Sequence, residues 1–202
     1  KMVILFILLT ELKKMVNQLM FLFVENVLLN LDAVNGKDTF PINNMILLLD
    51  NFVTLSECKQ LIELYKQNKH LAYHWLGAYP IDSSQISHPL IKDILKRSEE
   101  TVQKYFNSKL VIEFAEVKWH TKGSNHPFHY DTSRKSTALA SVTYLNNTSS
   151  GQTIFDDGLQ VTPKAGRIIM YDGKQYLHGV NACKTDRYVI AMWYKKGETN
   201  AV

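Results

Sequence analysis

Cysteine is scarce: the 202 residues hold two, Cys58 and Cys183, far apart and with no CxxC or other zinc spacing. That excludes a thiolate zinc site and a dithiol redox motif, and leaves two reduced, buried thiols as the expectation. Charge of one sign is lacking as well. Lys and Arg number 23 against 19 Asp and Glu, for a net charge of +4, and the basic residues form only short pairs such as Lys13-Lys14 and Lys195-Lys196. No nucleic-acid footprint stands out from such a pattern. Internal repeats and low-complexity tracts are absent. Long hydrophobic runs are missing too. The opening stretch KMVILFILLTELKKMVNQLM is apolar at first, but Glu11, Lys13 and Lys14 break it well short of the ~18 residues a membrane span needs. No small-residue cleavage site follows it.

On a helical wheel Glu11, Lys14, Gln18 and Glu25 fall on one side, with Leu12, Met15, Val16, Leu19, Phe23 and Val27 away from them. The expectation is an amphipathic helix and linker over 1–38, packed on a domain spanning 39–202. A signal or anchor segment is the competing reading, with no firm membrane evidence behind it. The first reading places the protein in the cytoplasm, the second in the lumen of the endoplasmic reticulum.

What is present is ordinary globular material, 46% hydrophobic and 11% aromatic, in a chain long enough for one buried core. NMILLLDNF is a short strand candidate. TLSECKQLIELYKQNKH carries Thr54 and Glu57 in capping-box spacing and reads as a helix. Residues 88–106 form a second amphipathic helix through Ile91, Ile94, Leu95, Val102 and Phe106, and LGAYPIDSSQIS between them reads as a loop. From Lys109 onward the texture is strand: LVIEFAEVKWH, TALASVTYLN, GQTIFDD, LQVTP, GRIIMYD and RYVIAMWY, separated by turn residues. Asn146-Asn147-Thr148-Ser149 contains overlapping glycosylation sequons, and a turn rich in Asn explains it equally well. Helices first and short strands afterwards predict an α+β domain with a β-sandwich or jelly-roll core.

HPFHYDTS, residues 126–133, raises the question of chemistry. His129 and Asp131 are two apart, so on an extended strand both point to one side. His178, in YLHGV, is the obvious third member from another strand. Two imidazoles and a carboxylate form a facial triad for a ferrous ion with open positions. Each also has a plainer reading: a hydrogen-bonded His129–Asp131 pair, a satisfied core histidine at 178. His120 and His126 are expected to be solvated or supporting groups. Arg187 opens a strongly apolar strand. Its guanidinium, if it faces inward, needs an anion, and a dicarboxylate would supply one through a bidentate contact. A surface salt bridge is the alternative.

The ordered set His-x-Asp, GQTIFDDGLQVTPKAGRIIMY, HGV and RYVIAMWY resembles the Fe(II)- and 2-oxoglutarate-dependent dioxygenases of the prolyl hydroxylase branch, over roughly 40–194. The resemblance implies a double-stranded β-helix (jelly-roll) core with packing helices from the N-terminal half. It implies iron on His129, Asp131 and His178, and the distal carboxylate of 2-oxoglutarate on Arg187. It places Tyr144 on that same carboxylate and Trp193 as an aromatic lining the pocket. The implied reaction is hydroxylation of a protein or peptide, a prolyl residue first, with O2 consumed and succinate and CO2 released; it admits ascorbate as a further requirement. Lysyl or other peptidyl hydroxylation, nucleic-acid demethylation and a non-catalytic module are the alternatives. RYVIAMWYKK lacks the second arginine that the demethylase branch carries, so no nucleic-acid partner is expected. Trp119 stands where hypoxia-sensing relatives place a tyrosine near the co-substrate, and Gly151-Gln152 replaces a frequent Gly-Gly doublet.

Overall fold

The structure, a computed structural model, describes residues 46–133 and 135–197. The expected helix and linker over 1–38 lie outside those residues. The described chain begins with strand β1 (Leu47–Leu49), followed by helix α1 (Leu55–Gln67), β2 (Ala78–Asp82) and helix α2 (Pro89–Phe106). Eight strands then run in succession: β3 (Leu110–His120), β4 (His126–His129), β5 (Thr137–Tyr144), β6 (Thr153–Phe155), β7 (Gln160–Val161), β8 (Ile168–Tyr171), β9 (His178–Val180) and β10 (Arg187–Lys196).

Both helices start where the sequence signals them. The Thr54 side chain accepts from the Glu57 amide at 3.2 Å while the Glu57 carboxylate accepts from the Thr54 amide at 2.7 Å, a complete capping box. Pro89 at the first turn of α2 needs no amide partner, and Asn107 ends that helix at φ 45°, in the left-handed region.

The strands form two antiparallel sheets, one six-stranded in the order β1-β8-β5-β10-β3-β2 and one four-stranded in the order β4-β9-β6-β7. Alternation along β10 divides the interior in two. Ile190, Met192 and Tyr194 face the helices, joining Leu61, Tyr65, Ile94, Val102 and Phe106 in one core. Val189 faces the small sheet and packs with Ala140, Tyr144, Phe155 and Ile169 in a second. The large sheet is thus covered on both faces, which is why its strands read as near-continuous apolar runs. This is the double-stranded β-helix of the α+β class, as the sequence led us to expect.

One expectation fails. Residues 78–82, read as loop, form the edge strand β2, paired with β3 from Ala78 opposite His120 to Asp82 opposite Glu116. Pro80 argued against a strand, but β2 pairs on one side only, and an edge tolerates a residue without an amide donor. Residues 146–149 lie in the connection between β5 and β6. Asn146 donates to the Asp186 carbonyl and accepts from the Tyr188 amide, both at 2.8 Å, and Asn147 accepts from the Ala165 amide at 2.7 Å. Cys58 and Cys183 are free and buried.

β1 is tied to the large sheet electrostatically as well as by its ladder. Asp50 accepts from Arg167 Nε at 2.7 Å and from Arg167 Nη2 at 3.2 Å, with Lys164 Nζ at 2.8 Å. Burial opposes the charge, yet these donors hold the Asp50 carboxyl below its usual value of 3.8. A depressed carboxyl contributes stability above its unfolded pKa and loses it as pH falls through the folded one. Asp50→Asn should therefore cost about 1–3 kcal/mol at neutral pH, and progressively less as the pH falls below 3.8. Denaturant melts of both proteins across that range check it; a pH-independent difference would contradict it.

Candidate active site

β4 and β9 are neighbours, and their register sets His129 directly opposite His178. Each Nδ1 lies against a backbone carbonyl, His129 on Pro127 at 3.0 Å and His178 on Tyr176 at 2.9 Å. A carbonyl only accepts, so in the neutral ring Nδ1 carries the proton and Nε2 keeps its lone pair. Both Nε2 atoms face Asp131, at 3.8 Å from Oδ1 for His129 and 3.8 Å from Oδ2 for His178. That is too long for hydrogen bonds, which removes the plain His129–Asp131 pair. Burial pushes the His178 imidazole down against the opposing pull of Asp131.

Asp131 lies beyond the end of β4, not on the strand as expected. Its amide donates to the Gly173 carbonyl at 2.8 Å. A Cβ at position 173 would stand 2.2 Å from Asp131 Oδ2, so glycine there is required by close approach. One ligand atom from each of His129, Asp131 and His178 lies within 4.8 Å of the others, a set that could hold a metal ion. Two imidazole lone pairs and one carboxylate suit a divalent transition metal, and the carbonyl contacts orient the rings for it.

The triad opens on a cavity of about 570 Å³. Arg187, at the start of β10, lines it with 2% of its surface exposed. Its Nη2 donates to Thr153 Oγ1 at 3.3 Å, its Nε has no partner, and the guanidinium lies 5.3 Å from the centre of the Tyr144 ring. No carboxylate pairs with it among the described residues, so the surface salt bridge is ruled out. Gly151, at φ +66°, makes room: a Cβ there would meet Arg187 Cδ at 3.0 Å and Cys183 Sγ at 2.7 Å. Tyr144 is fully buried and shares a 2.6 Å hydrogen bond with Thr153 Oγ1. Thr153 pairs with Val180, two residues along β9 from His178. Thr153, which accepts from Arg187, therefore lies about 7 Å along the strand from the position opposite His178, at ~3.3 Å per residue. A five-carbon dicarboxylate has the length to span that separation.

Trp193 lines the cavity six residues along β10 from Arg187, against the Phe114 ring at 5.7 Å. It belongs to the other end, away from the guanidinium. Trp119 faces the opposite way, packing on Tyr65, Tyr79 and Tyr188. Phe114, Glu116, Lys118 and His120 are the β3 residues that reach the cavity. His120 and His126 are 4% and 7% exposed, so neither is solvated. Burial, with the surrounding imidazoles and cations, lowers His126 to about 3.

Several residues here escaped the sequence reading. Lys118 Nζ is 2.8 Å from Glu116 Oε2 and 4.7 Å from the centre of the Trp193 ring, while Glu116 Oε1 accepts from the Tyr73 hydroxyl at 2.6 Å. The signal was charge at every second position of an apolar strand. Burial and the adjacent Asp131 charge push the Tyr171 phenol well up, so it stays protonated beside His178, with ring centres 4.7 Å apart.

Gly173→Ala should displace the Asp131 carboxylate and weaken metal binding by at least about ten-fold without unfolding the chain, the equivalent of ~1.4 kcal/mol. Calorimetric titration of Ni(II) into both proteins tests it; equal affinities would mean that Asp131 is not a ligand.

Residues 113–195 match the model of the 2OG-Fe(II) oxygenase superfamily. No curated protein sequence matches the chain. Among solved structures, the viral collagen prolyl hydroxylase of Paramecium bursaria Chlorella virus-1, in its 2-oxoglutarate complex, is 19% identical with a TM-score of 0.63, covering 77% of this chain and 97% of its own. A Pseudomonas putida prolyl-4-hydroxylase is 14% identical with a TM-score of 0.64, covering 76% and 93%. The α-ketoglutarate-dependent epimerase of nogalamycin biosynthesis is 15% identical with a TM-score of 0.65, covering 76% and 79%. The shared fold thus serves more than one reaction, and the matched residues contain His129, Asp131, His178 and Arg187. Residues 113–195 carry a 2OG-Fe(II) oxygenase domain, and the described chain has the fold of the prolyl hydroxylases.

Proposed function

We propose that the chain is a dioxygenase hydroxylating a neutral residue of an extended peptide, a prolyl residue first, with His129, Asp131 and His178 holding Fe(II) and Arg187 pairing the distal carboxylate of 2-oxoglutarate. The carrying observation is a buried guanidinium with no carboxylate partner among the described residues, held by Thr153 two residues of strand away from a three-ligand cluster. Bound iron, with 2-oxoglutarate and O2, supplies the oxidising power, releasing succinate and CO2. The protein's share is placement. The Pro127 and Tyr176 carbonyls aim the imidazoles, Gly173 admits the carboxylate, and Val142, Val189 and Ala191 line the cavity with apolar surface that excludes water.

Two features bear on the substrate. Tyr73, Trp75, Leu76 and Tyr130 line the cavity yet are 43–50% exposed, an aromatic mouth suited to apolar rings and extended backbone. Inside, Glu116 and Asp131 are the carboxylates of the wall; Glu116 is paired with Lys118, and Asp131 faces the two imidazoles. A lysyl ammonium would meet Lys118 and Arg187 with no unengaged carboxylate among the described residues of the wall, which favours a neutral target. The prolyl hydroxylases among the similar structures support the same choice.

Mass spectrometry of proline-containing and lysine-containing peptides, incubated with Fe(II), 2-oxoglutarate and enzyme, tests the proposal. Prolyl peptides should gain one oxygen atom with matching succinate; oxygen gained at lysine alone would overturn the choice. Arg187→Ala should weaken 2-oxoglutarate by about ten- to a few-hundred-fold, since a bidentate charged pair contributes roughly 1.5–3 kcal/mol. Arg187→Lys should fall between, keeping charge but losing the fork, and metal binding should survive both. The charge-transfer band of the anaerobic Fe(II) protein follows the titration, and an unchanged affinity in Arg187→Ala would remove the co-substrate anchor.

A further inference from the structure

β3 and β10 run antiparallel with His120 opposite Arg187, and both side chains line the cavity. The facing sheet closes the same end. Thr153 is opposite Val180, Val180 is opposite His126, and Thr153 Oγ1 already accepts from Arg187. Strand register and the Arg187–Thr153 hydrogen bond between the sheets therefore gather Arg187, Thr153 and His120 at one end of the cavity, away from Trp193.

His120 is 4% exposed, and its Nδ1 has no hydrogen-bond partner. Arg187 Nε, in the residue opposite, lacks one too. Two orphaned polar nitrogens on paired residues are unusual, because a buried polar group without a partner bears its full desolvation penalty. Burial, reinforced by the Arg187 and Lys118 cations, holds the imidazole well below its usual pKa, so it is neutral and carries one N–H donor. What this end of the cavity lacks is an acceptor, and a negative one.

His126 also has an orphaned nitrogen, Nε2, but its ring is held between Trp75 at 4.9 Å and His129 at 4.3 Å. It packs against His129 of the three-ligand cluster. Lys118 is engaged by Glu116 and the Trp193 ring. His120 is the residue left facing Arg187 with unused hydrogen-bonding capacity.

We infer that His120 is a further binding residue of the carboxylate site, its buried imidazole donating an N–H to the same distal carboxylate that Arg187 pairs. The inference rests on the co-substrate reading of Arg187 given above. It assigns His120 a role in affinity and in selecting a dicarboxylate over a monocarboxylate keto acid. It assigns it none in holding the metal.

The test is calorimetric titration of Ni(II)-loaded wild type, His120→Phe, His120→Gln and Arg187→Ala with 2-oxoglutarate. Each protein is also titrated with 2-oxobutanoate, which keeps the keto-acid head and lacks the distal carboxylate. His120→Phe should bind 2-oxoglutarate about ten-fold more weakly, as loss of one hydrogen bond to a charged group implies. Its affinity for 2-oxobutanoate and for Ni(II) should be unchanged. His120→Gln, which restores a donor, should recover part of the loss, and it carries the test if the phenylalanine variant does not fold. Wild-type 2-oxoglutarate affinity in both His120 variants would overturn the inference. So would an equal loss for both keto acids, which would place His120 away from the distal carboxylate. If Arg187→Ala also keeps wild-type affinity, the co-substrate site itself is misplaced; if Arg187→Ala loses affinity and the His120 variants do not, the error is confined to His120.

Discussion

A guanidinium that is 2% exposed, with no carboxylate against it among the described residues, constrains everything around it. An unpaired buried charge is among the least tolerable features of a protein interior, and it persists only where the surroundings are built for a counter-charge. Here the surroundings are specific. Gly151 leaves the space that the Arg187 side chain crosses, Thr153 accepts from it, and the Tyr144 ring lies beneath it. Tyr144 and Thr153 are themselves locked together by a 2.6 Å hydrogen bond. Arg187 is thus held by contacts from several elements, the preorganisation that a selective anion site requires.

The same strand carries the fold and the chemistry. Along β10, one face seals the helical core with Ile190, Met192 and Tyr194, while the other presents Arg187 and Val189 to the cavity. β3 repeats the arrangement, with Ala115 and Val117 in the helical core and Glu116, Lys118 and His120 inside. Anything that loosens the helices thus disturbs the register of the strands bearing the polar residues. Electrostatics inside the cavity run in one direction: Arg187 and Lys118 help hold His120 and His126 neutral. Neutral imidazoles among cations make an environment that welcomes a dianion and resists a second ammonium.

Much of this could be read before folding. The helices were legible because capping and 3.6-residue periodicity are local, and the Thr54–Glu57 box formed as spaced. The long strands were legible from alternation and turn residues. β2 was not, because Pro80 contradicts a strand until an edge position is known. His120 and His126 were read as solvated or supporting, since a histidine beside charged residues carries no local mark of burial. Trp119 and Trp193 were assigned by resemblance, and strand facing put the first on the outer side and the second away from Arg187.

By itself the sequence determined the kinds of group available, their order, and the elements carrying them: two imidazoles, a carboxylate and an arginine on a succession of short strands. Tertiary structure alone decided which of them meet. His129 opposes His178 because β4 pairs with β9, and His120 opposes Arg187 because β3 pairs with β10. Asp131 reaches the imidazoles from beyond its strand because the Gly173 backbone lets it in. Register is a cooperative outcome of two sheets closing over two cores, and a slip of one residue would turn every one of these side chains to the other face. No local pattern contains that choice.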